Sequence, residues 1–196
     1  MPQTVTVTAV DDAVVEGDHS GAITHSVASS DGNYDGIPAN GVSADITDND
    51  ATVRFTSATA TVNEDDGAAG TQTVTLTVER IGATNQEATV DFASADGTAT
   101  DGADYSGNSD TISFGVGVSS QEITFDTVVD KVEEGNETFT VSLSNLSANL
   151  VAADPQAITV TITDNDAAGV TIAVGDGIAV TEGDTTDTYT LSLIHI

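Results

Sequence analysis

The sequence predicts an all-β fold: a seven-stranded antiparallel immunoglobulin-like β-sandwich, present as tandem repeats. Three observations carry this. Apolar and polar residues alternate over short runs, Thr and Val dominate those runs, and the stretch ITDND recurs at 46–50 and 162–166, its copies starting 116 residues apart. Period-two alternation puts one set of side chains on a buried face. β-Branched residues suit that pleated, half-buried surface. Self-similarity at a fixed spacing marks a repeat. No stretch reads as a long amphipathic helix.

Seven strand candidates lie between residues 52 and 164. The first is VRF at 53–55. In QTVTLTVERI, Val74, Leu76 and Val78 share one face and Thr73, Thr75 and Thr77 the other. EATVDFAS groups Ala88, Val90 and Phe92. TISF offers Ile112 and Phe114, and EITFDTVV offers Ile123 and Phe125. ETFTVSLSNL aligns Phe139, Val141 and Leu143, and ITVTITD aligns Ile158, Val160 and Ile162. Clusters of Gly, Asn and Asp separate the runs, as turns require, and seven such strands suit a sandwich of two sheets.

The repeated ITDND divides the chain. Residues 51–166 form a complete unit. Residues 1–50 read as the C-terminal half of a preceding one, with strands in TVTVTAV, AITHSVAS and VSADITD. Residues 167–196 read as the N-terminal part of a following one, because VTEGDTTDTYTLSL repeats the layout of VNEDDGAAGTQTVTLTV at 62–78. The last six residues, LSLIHI, match the in-frame translation of a transposon-based sequencing adapter, so His195 is given no function. Both ends are expected to cut through a domain.

Charge narrows the function. Asp and Glu total 32 against three basic residues, a net charge of −29. Nucleic-acid binding needs Lys and Arg to displace counterions, so that class is excluded, and an anionic membrane is an equally poor partner. Divalent cations suit this surface. The absence of cysteine removes disulfides, zinc–thiolate sites and thiol catalysis. No apolar run approaches a membrane span and no signal peptide is visible, so a signal or anchor is expected outside these residues.

The charge is concentrated where it can act. In VVDKVEEGNETF at 128–139, Asp130, Glu134 and Glu137 precede an alternating strand. TDND adds Asp164 and Asp166, VNEDDG adds Glu64, and SADGTATDGADY adds Asp96. Loops at one end of a sandwich converge. Carboxylates gathered there repel one another and raise each other's pKa, and a hard cation such as Ca2+, which takes about six to eight oxygen ligands, relieves this. The EF-hand spacing is absent from DNDATVRFTSAT and DGTATDGADYSG.

The run DGTATDGADY, ISF, EITFDTVVDKVEEGNETFTVSLSN and ITVTITDND resembles the Calx-beta domain, a motif of sodium–calcium exchangers, integrin β4 and large bacterial surface proteins. The resemblance covers 51–166 nearly end to end. It implies an immunoglobulin-like sandwich with calcium in the loops at one end, beside the junction with the next domain. Carried over residue by residue, it assigns Glu64, Asp96, Asp130, Glu134, Glu137, Asp164 and Asp166 as side-chain ligands and Val132 as a backbone carbonyl ligand. Two departures weaken the site: Val129 replaces one acidic ligand, and Lys131 brings a positive charge that in this family can stand in for an ion. In the first half-unit the same pattern gives Asp11, Asp12, Glu16, Asp48 and Asp50, with His19 in the place of Glu137. His is a poor calcium ligand. In the third, only Glu182 is present.

Other residues read as ordinary structure. Asp104, before Tyr105, is expected to fix a turn. His25 shares its face with Ile23 and Val27 and reads as a packed strand residue. Asp110, Asp126 and Asp154 read as surface. Paired carboxylates serve glycoside hydrolysis, but these repeat with the domain and lack an aromatic platform, so no enzyme is expected. The expectation is a calcium-binding structural or adhesion repeat of an extracellular or cell-surface protein. Its partners would be calcium, neighbouring repeats and cell-surface or matrix ligands. A calcium-sensing regulatory domain of a membrane transporter and a spacer module of an extracellular enzyme are the alternatives.

Overall fold

The computed structural model of the chain describes residues 2–64, 71–173 and 190–195, and all the regular structure among them is strand. The first half-unit contributes β1 (His19–Ile23) and β2 (Val42–Ile46). The complete unit runs β3 (Ala51–Phe55), β4 (Thr59–Asn63), β5 (Gln72–Gly82), β6 (Ala88–Asp96), β7 (Ser109–Phe114), β8 (Ser120–Thr127), β9 (Glu137–Ser144), β10 (Leu150–Ala152) and β11 (Ala157–Thr163). Then β12 (Ala168–Ala173) pairs antiparallel with β13 (Thr190–His195).

Two sheets make the sandwich, in the orders β10-β3-β5-β8 and β4-β11-β9-β6-β7. The long strands bury alternate residues, because successive side chains point to opposite faces. Val74, Leu76 and Val78 of β5 are buried while Thr73 and Thr75 face solvent. Phe55, Phe125, Phe114 and Phe139 lie fully in the shared core. The Tyr105 ring stacks on Phe139 with centroids 4.1 Å apart. Each such apolar side chain contributes about 1.5–3 kcal/mol through burial.

All seven expected strands form. The complete unit gains two more, β4 and β10, each paired parallel to its neighbour, β4 with β11 and β10 with β3. β4 matters to the site. Its register sets Asn63 opposite Thr163, and the Glu64 N–H extends that ladder by donating to Thr163 O at 2.9 Å. Glu64 therefore leaves its strand beside Asp164. On the other side of β11, β9 starts with Glu137 opposite Ile162. Three carboxylates from distant parts of the chain thus emerge at one end of one sheet.

The first half-unit departs from expectation in two places. TVTVTAV forms no strand: Val5, Val7 and Val10 are 79%, 57% and 90% exposed. In the complete unit the corresponding strand, β8, is held by pairing with β5, and no described strand pairs with residues 4–10. A lone extended segment has no ladder to satisfy its backbone groups. His25 is likewise no strand residue, because β1 ends at Ile23. His25 is exposed, with its Nδ1 2.9 Å from Asn40 O. Glu182 lies outside the described residues.

Candidate metal centre

Asp164 is the hub of the loop end. Its Oδ2 accepts hydrogen bonds from the backbone N–H groups of Glu134 and Gly135 at 2.9 and 2.6 Å, and its Oδ1 accepts from Asp166 N at 2.8 Å. Gly135 holds a φ of +77°, a conformation that costs glycine least and that aims two successive N–H groups at one carboxylate. These bonds, led by the one from Asp166 and then Gly135, hold the Asp164 carboxyl below its usual pKa. Asp130 caps its own loop by accepting from Val132 N at 2.7 Å, and its N–H donates to Glu64 Oε1 at 3.0 Å. Val132 is 44% exposed, and no backbone hydrogen bond among the described residues uses its carbonyl oxygen.

Two groups of carboxylates result. Glu64, Asp164 and Asp166 each offer an oxygen within 4.8 Å of the others, and so do Asp104, Glu134 and Glu137. Oxygens sharing one calcium at about 2.3–2.6 Å lie no more than roughly 5 Å apart, so both groups fit a single ion of that size. Glu64, Asp104, Asp130, Glu134 and Glu137 line one small cavity between the loops, which joins the groups.

Burial and neighbouring like charges disfavour the charged form of three of these carboxylates. Glu64 is buried, and desolvation pushes its pKa up. Glu134 is raised first by desolvation, then by the charges of Asp104 and Asp130. Glu137 is pushed up to about 7, first by desolvation and then by the adjacent Asp104. Lys131 is exposed, and the ion pairs among the described residues are His19–Glu16 and Arg54–Glu79. Lys131 therefore does not neutralise this site by direct contact.

The structure places Asp96 and Asp104 differently with respect to the two groups. Asp96 belongs to neither group. Its Oδ1 accepts from the Tyr105 hydroxyl at 2.8 Å and from Asp101 N at 2.9 Å, so it braces the β6–β7 loop. Asp104 does fix a turn, accepting from Thr100 N at 2.7 Å, but its carboxylate also reaches Glu134 and Glu137. The signal for this was the neighbour. Tyr105 is 1% exposed and stacked in the core, which turns the residue before it toward the loops.

The first half-unit repeats the same hydrogen bonds, but among its described residues no three carboxylates offer oxygens within 4.8 Å of one another. Asp48 Oδ2 accepts from Glu16 N and Gly17 N at 2.8 and 2.6 Å, and Asp48 Oδ1 accepts from Asp50 N at 2.9 Å. Asp12 caps its loop by accepting from Val14 N at 2.9 Å, and Gly17 holds a φ of +72°. Asn49 Nδ2 donates to Asp11 Oδ1 at 3.2 Å. Asp11, Asp12, Glu16, His19, Asp48 and Asp50 line one cavity of about 340 Å³. His19, standing where Glu137 stands, lies with its Nε2 3.8 Å from Glu16 Oε2.

A two-sheet sandwich with convergent carboxylate loops at one end and its last strand running into the next unit defines a class of modular β-domain. The chain belongs to the Calx-beta domain family, whose model matches residues 46–166. It is 37% identical over 93 residues to the sodium/calcium exchanger Calx of Drosophila melanogaster, which covers 47% of this chain and 10% of that protein. It is 37% identical over 116 residues to sodium/calcium exchanger 1 of Canis lupus familiaris, covering 50% and 12%. The chain thus spans about a tenth of the length of these relatives. Among solved structures, the apo-form Calx CBD1 domain matches with a TM-score of 0.54 at 31% identity, covering 59% of this chain and 97% of that one. The calcium binding domain CBD12 of CALX1.1 matches with a TM-score of 0.52 at 32% identity, covering 57% and 44%.

Proposed function

We propose that the loop end of residues 51–166 binds calcium, and that the chain is a structural repeat whose junctions calcium stiffens. The observation that carries this is the pair of carboxylate groups whose oxygens lie within 4.8 Å of one another. Among the described residues Glu64, Asp104, Glu134, Glu137 and Asp164 form no ion pair with a basic side chain. Glu64, Asp164 and Asp166 would hold one ion, and Asp104, Glu134 and Glu137 a second, with Asp130 and the Val132 carbonyl at the rim. Bound calcium supplies the positive charge that these carboxylates lack. The chain's own contribution is the Asp164 tether, which fixes the 134–135 turn to the end of β11. That strand leads through Asp166 into β12, so order in the loops passes to the following unit.

The calcium binding named for CBD12 of CALX1.1 supports the metal reading. The repeat organisation supports placement in an extracellular or cell-surface protein with a role in adhesion or cell communication, and no catalytic role for this segment. The exchanger relatives favour a second reading, a regulatory calcium-sensing domain of a membrane transporter. A spacer module of an extracellular enzyme is the third. The complete reading frame separates the three: membrane helices flanking the repeats support the second, and a catalytic domain the third.

Thermal melting of the chain with calcium and with chelator tests the metal reading. At calcium well above Kd the fold should gain roughly 2–4 kcal/mol. An unchanged midpoint together with a flat calcium titration would overturn it.

A further inference from the structure

The complete domain reaches back to the unit before it through the β5–β6 loop. That loop, residues 83–87, is tied down on both sides of Asn85. Ala83 N donates to Asp50 O at 2.9 Å, and Gly117 N donates to Thr84 O at 2.8 Å. Past Asn85, Arg80 Nη1 holds the Gln86 carbonyl at 2.9 Å and Asn149 Nδ2 holds the Glu87 carbonyl at 3.1 Å. Arg80 is 3% exposed, so this brace comes out of the core.

Asn85 itself turns outward, to the first unit. Its Nδ2 donates to Asp48 O at 3.2 Å. A carbonyl only accepts, so it is the amide NH2 that meets it. Asp48 is also the centre of its own loop. Its N–H donates to Asp18 Oδ1 at 3.0 Å, and its carboxylate accepts from Glu16 N, Gly17 N and Asp50 N. Asn85 therefore grips the residue that organises the acidic loop of the first unit.

A second close approach lies at Gly82, where φ is +115°. A Cβ there would lie 3.0 Å from Val15 Cγ1 and 2.9 Å from Asp50 O, so a side chain would push the units apart. Beside these contacts the units leave a groove of about 530 Å³, lined by Val15, Gly17 and Asp18 of the first and Thr84, Asn85 and Val116 of the second. With a groove between them, their angle depends on the points that bridge it.

We infer that the β5–β6 loop is a docking surface for the end of the preceding repeat, and that Asn85 sets the angle between the two by holding the Asp48 carbonyl. The partner it fits is a strand end of the ITDND kind, and Asp164 is the equivalent residue of the second copy. One exposed hydrogen bond is weak alone. Here both sides are fixed before they meet, so little freedom is lost in forming it. This goes beyond the calcium reading, because the angle is set before any ion arrives.

The chain has no cysteine, so Ser43→Cys in β2 and Thr124→Cys in β8 place one spin label on each unit, both at exposed positions. Electron–electron distance measurement on the full chain in chelator should give one narrow distribution. Asn85→Ala, and Asn85→Asp, which keeps the shape and removes the donor, should each replace it with a broad one. Asn85 is exposed, so the melting midpoint should stay where it is. Distributions as narrow in both variants as in the parent would overturn the inference. So would a parent that is broad in chelator and narrows only when calcium is added, in which case the ion sets the angle and the calcium reading stands without the clasp.

Discussion

The Gly135 N–H donates to Asp164 Oδ2 at 2.6 Å, and one repeat earlier the Gly17 N–H donates to Asp48 Oδ2 at the same distance. The aspartate closes its strand and in the same act pulls a turn 29 residues upstream against the end of the sheet. In both copies ITDND therefore ends a strand and anchors an acidic loop.

Asp164→Asn tests this double part. An amide keeps the size but loses the charge and one acceptor, and its NH2 would face two N–H donors. Calcium affinity should fall on the order of tenfold or more, and the chelated protein should also melt earlier because the 134–135 turn loses its tether. Titration and melting on one preparation read both. Calcium affinity equal to wild type would remove Asp164 from the ligand set.

The proximity of Glu137 and Asp104 predicts a pH dependence of unusual sign. Glu137 is raised from 4.5 to about 7, and Glu64 and Glu134 move in the same direction. A carboxyl whose folded pKa is raised binds more protons folded than unfolded between those values, so stability falls as pH rises. In chelator, the melting midpoint should drop between about pH 4.5 and pH 7. The lowered carboxyls, Asp48, Asp91 and Asp164, act oppositely, and only below their ordinary value of 3.8. Saturating calcium should flatten or reverse the slope. A midpoint in chelator that rises through this window would contradict the geometry.

Seven of the nine strands of the complete unit were legible because apolar side chains alternate onto one face of each. β4 was not. Its inward residues are only Ala60 and Val62, and its pairing is parallel to β11, 100 residues downstream in register, which no local pattern encodes. The acidic cluster was legible as a cluster, since loops at one end of a sandwich must converge. The approach of Asp104 to Glu134 and Glu137 was not. DGTATDGADY offers Asp96, Asp101 and Asp104 with little to separate them by type or spacing. What separates them is the buried Tyr105, which directs its hydroxyl to Asp96 and leaves Asp104 for the loops. TVTVTAV alternates as well as any strand here, but alternation specifies a face and not a partner.

Tyr105 and Phe139 carry the packing under this site. Phe139 is fully buried, stacked on Tyr105 and 5.6 Å from the Phe125 ring. Phe139→Ala should cost about 3–5 kcal/mol. Tyr105→Phe keeps the stack and removes only the bond to Asp96, so about 1–2 kcal/mol is expected. Denaturant unfolding distinguishes them. Equal losses would mean that the hydroxyl, and not the ring, is what the loop needs.

Val129 is where the second site falls short of the first. Its counterpart is Asp11, which accepts a hydrogen bond from Asn49 Nδ2 at 3.2 Å. Asn165 stands in the corresponding place in the second ITDND, so an aspartate at 129 would meet the same donor. Val129 is half-buried, and replacing it forfeits roughly 1 kcal/mol of apolar burial. It also adds a negative charge to a group already crowded with them. Val129→Asp should therefore melt earlier than wild type in chelator, yet bind calcium more tightly, by about tenfold for one added carboxylate ligand. The two melting curves should cross as calcium is raised. A variant that is destabilised at every calcium concentration, with unchanged affinity, would show that residue 129 faces the core alone and not the ion.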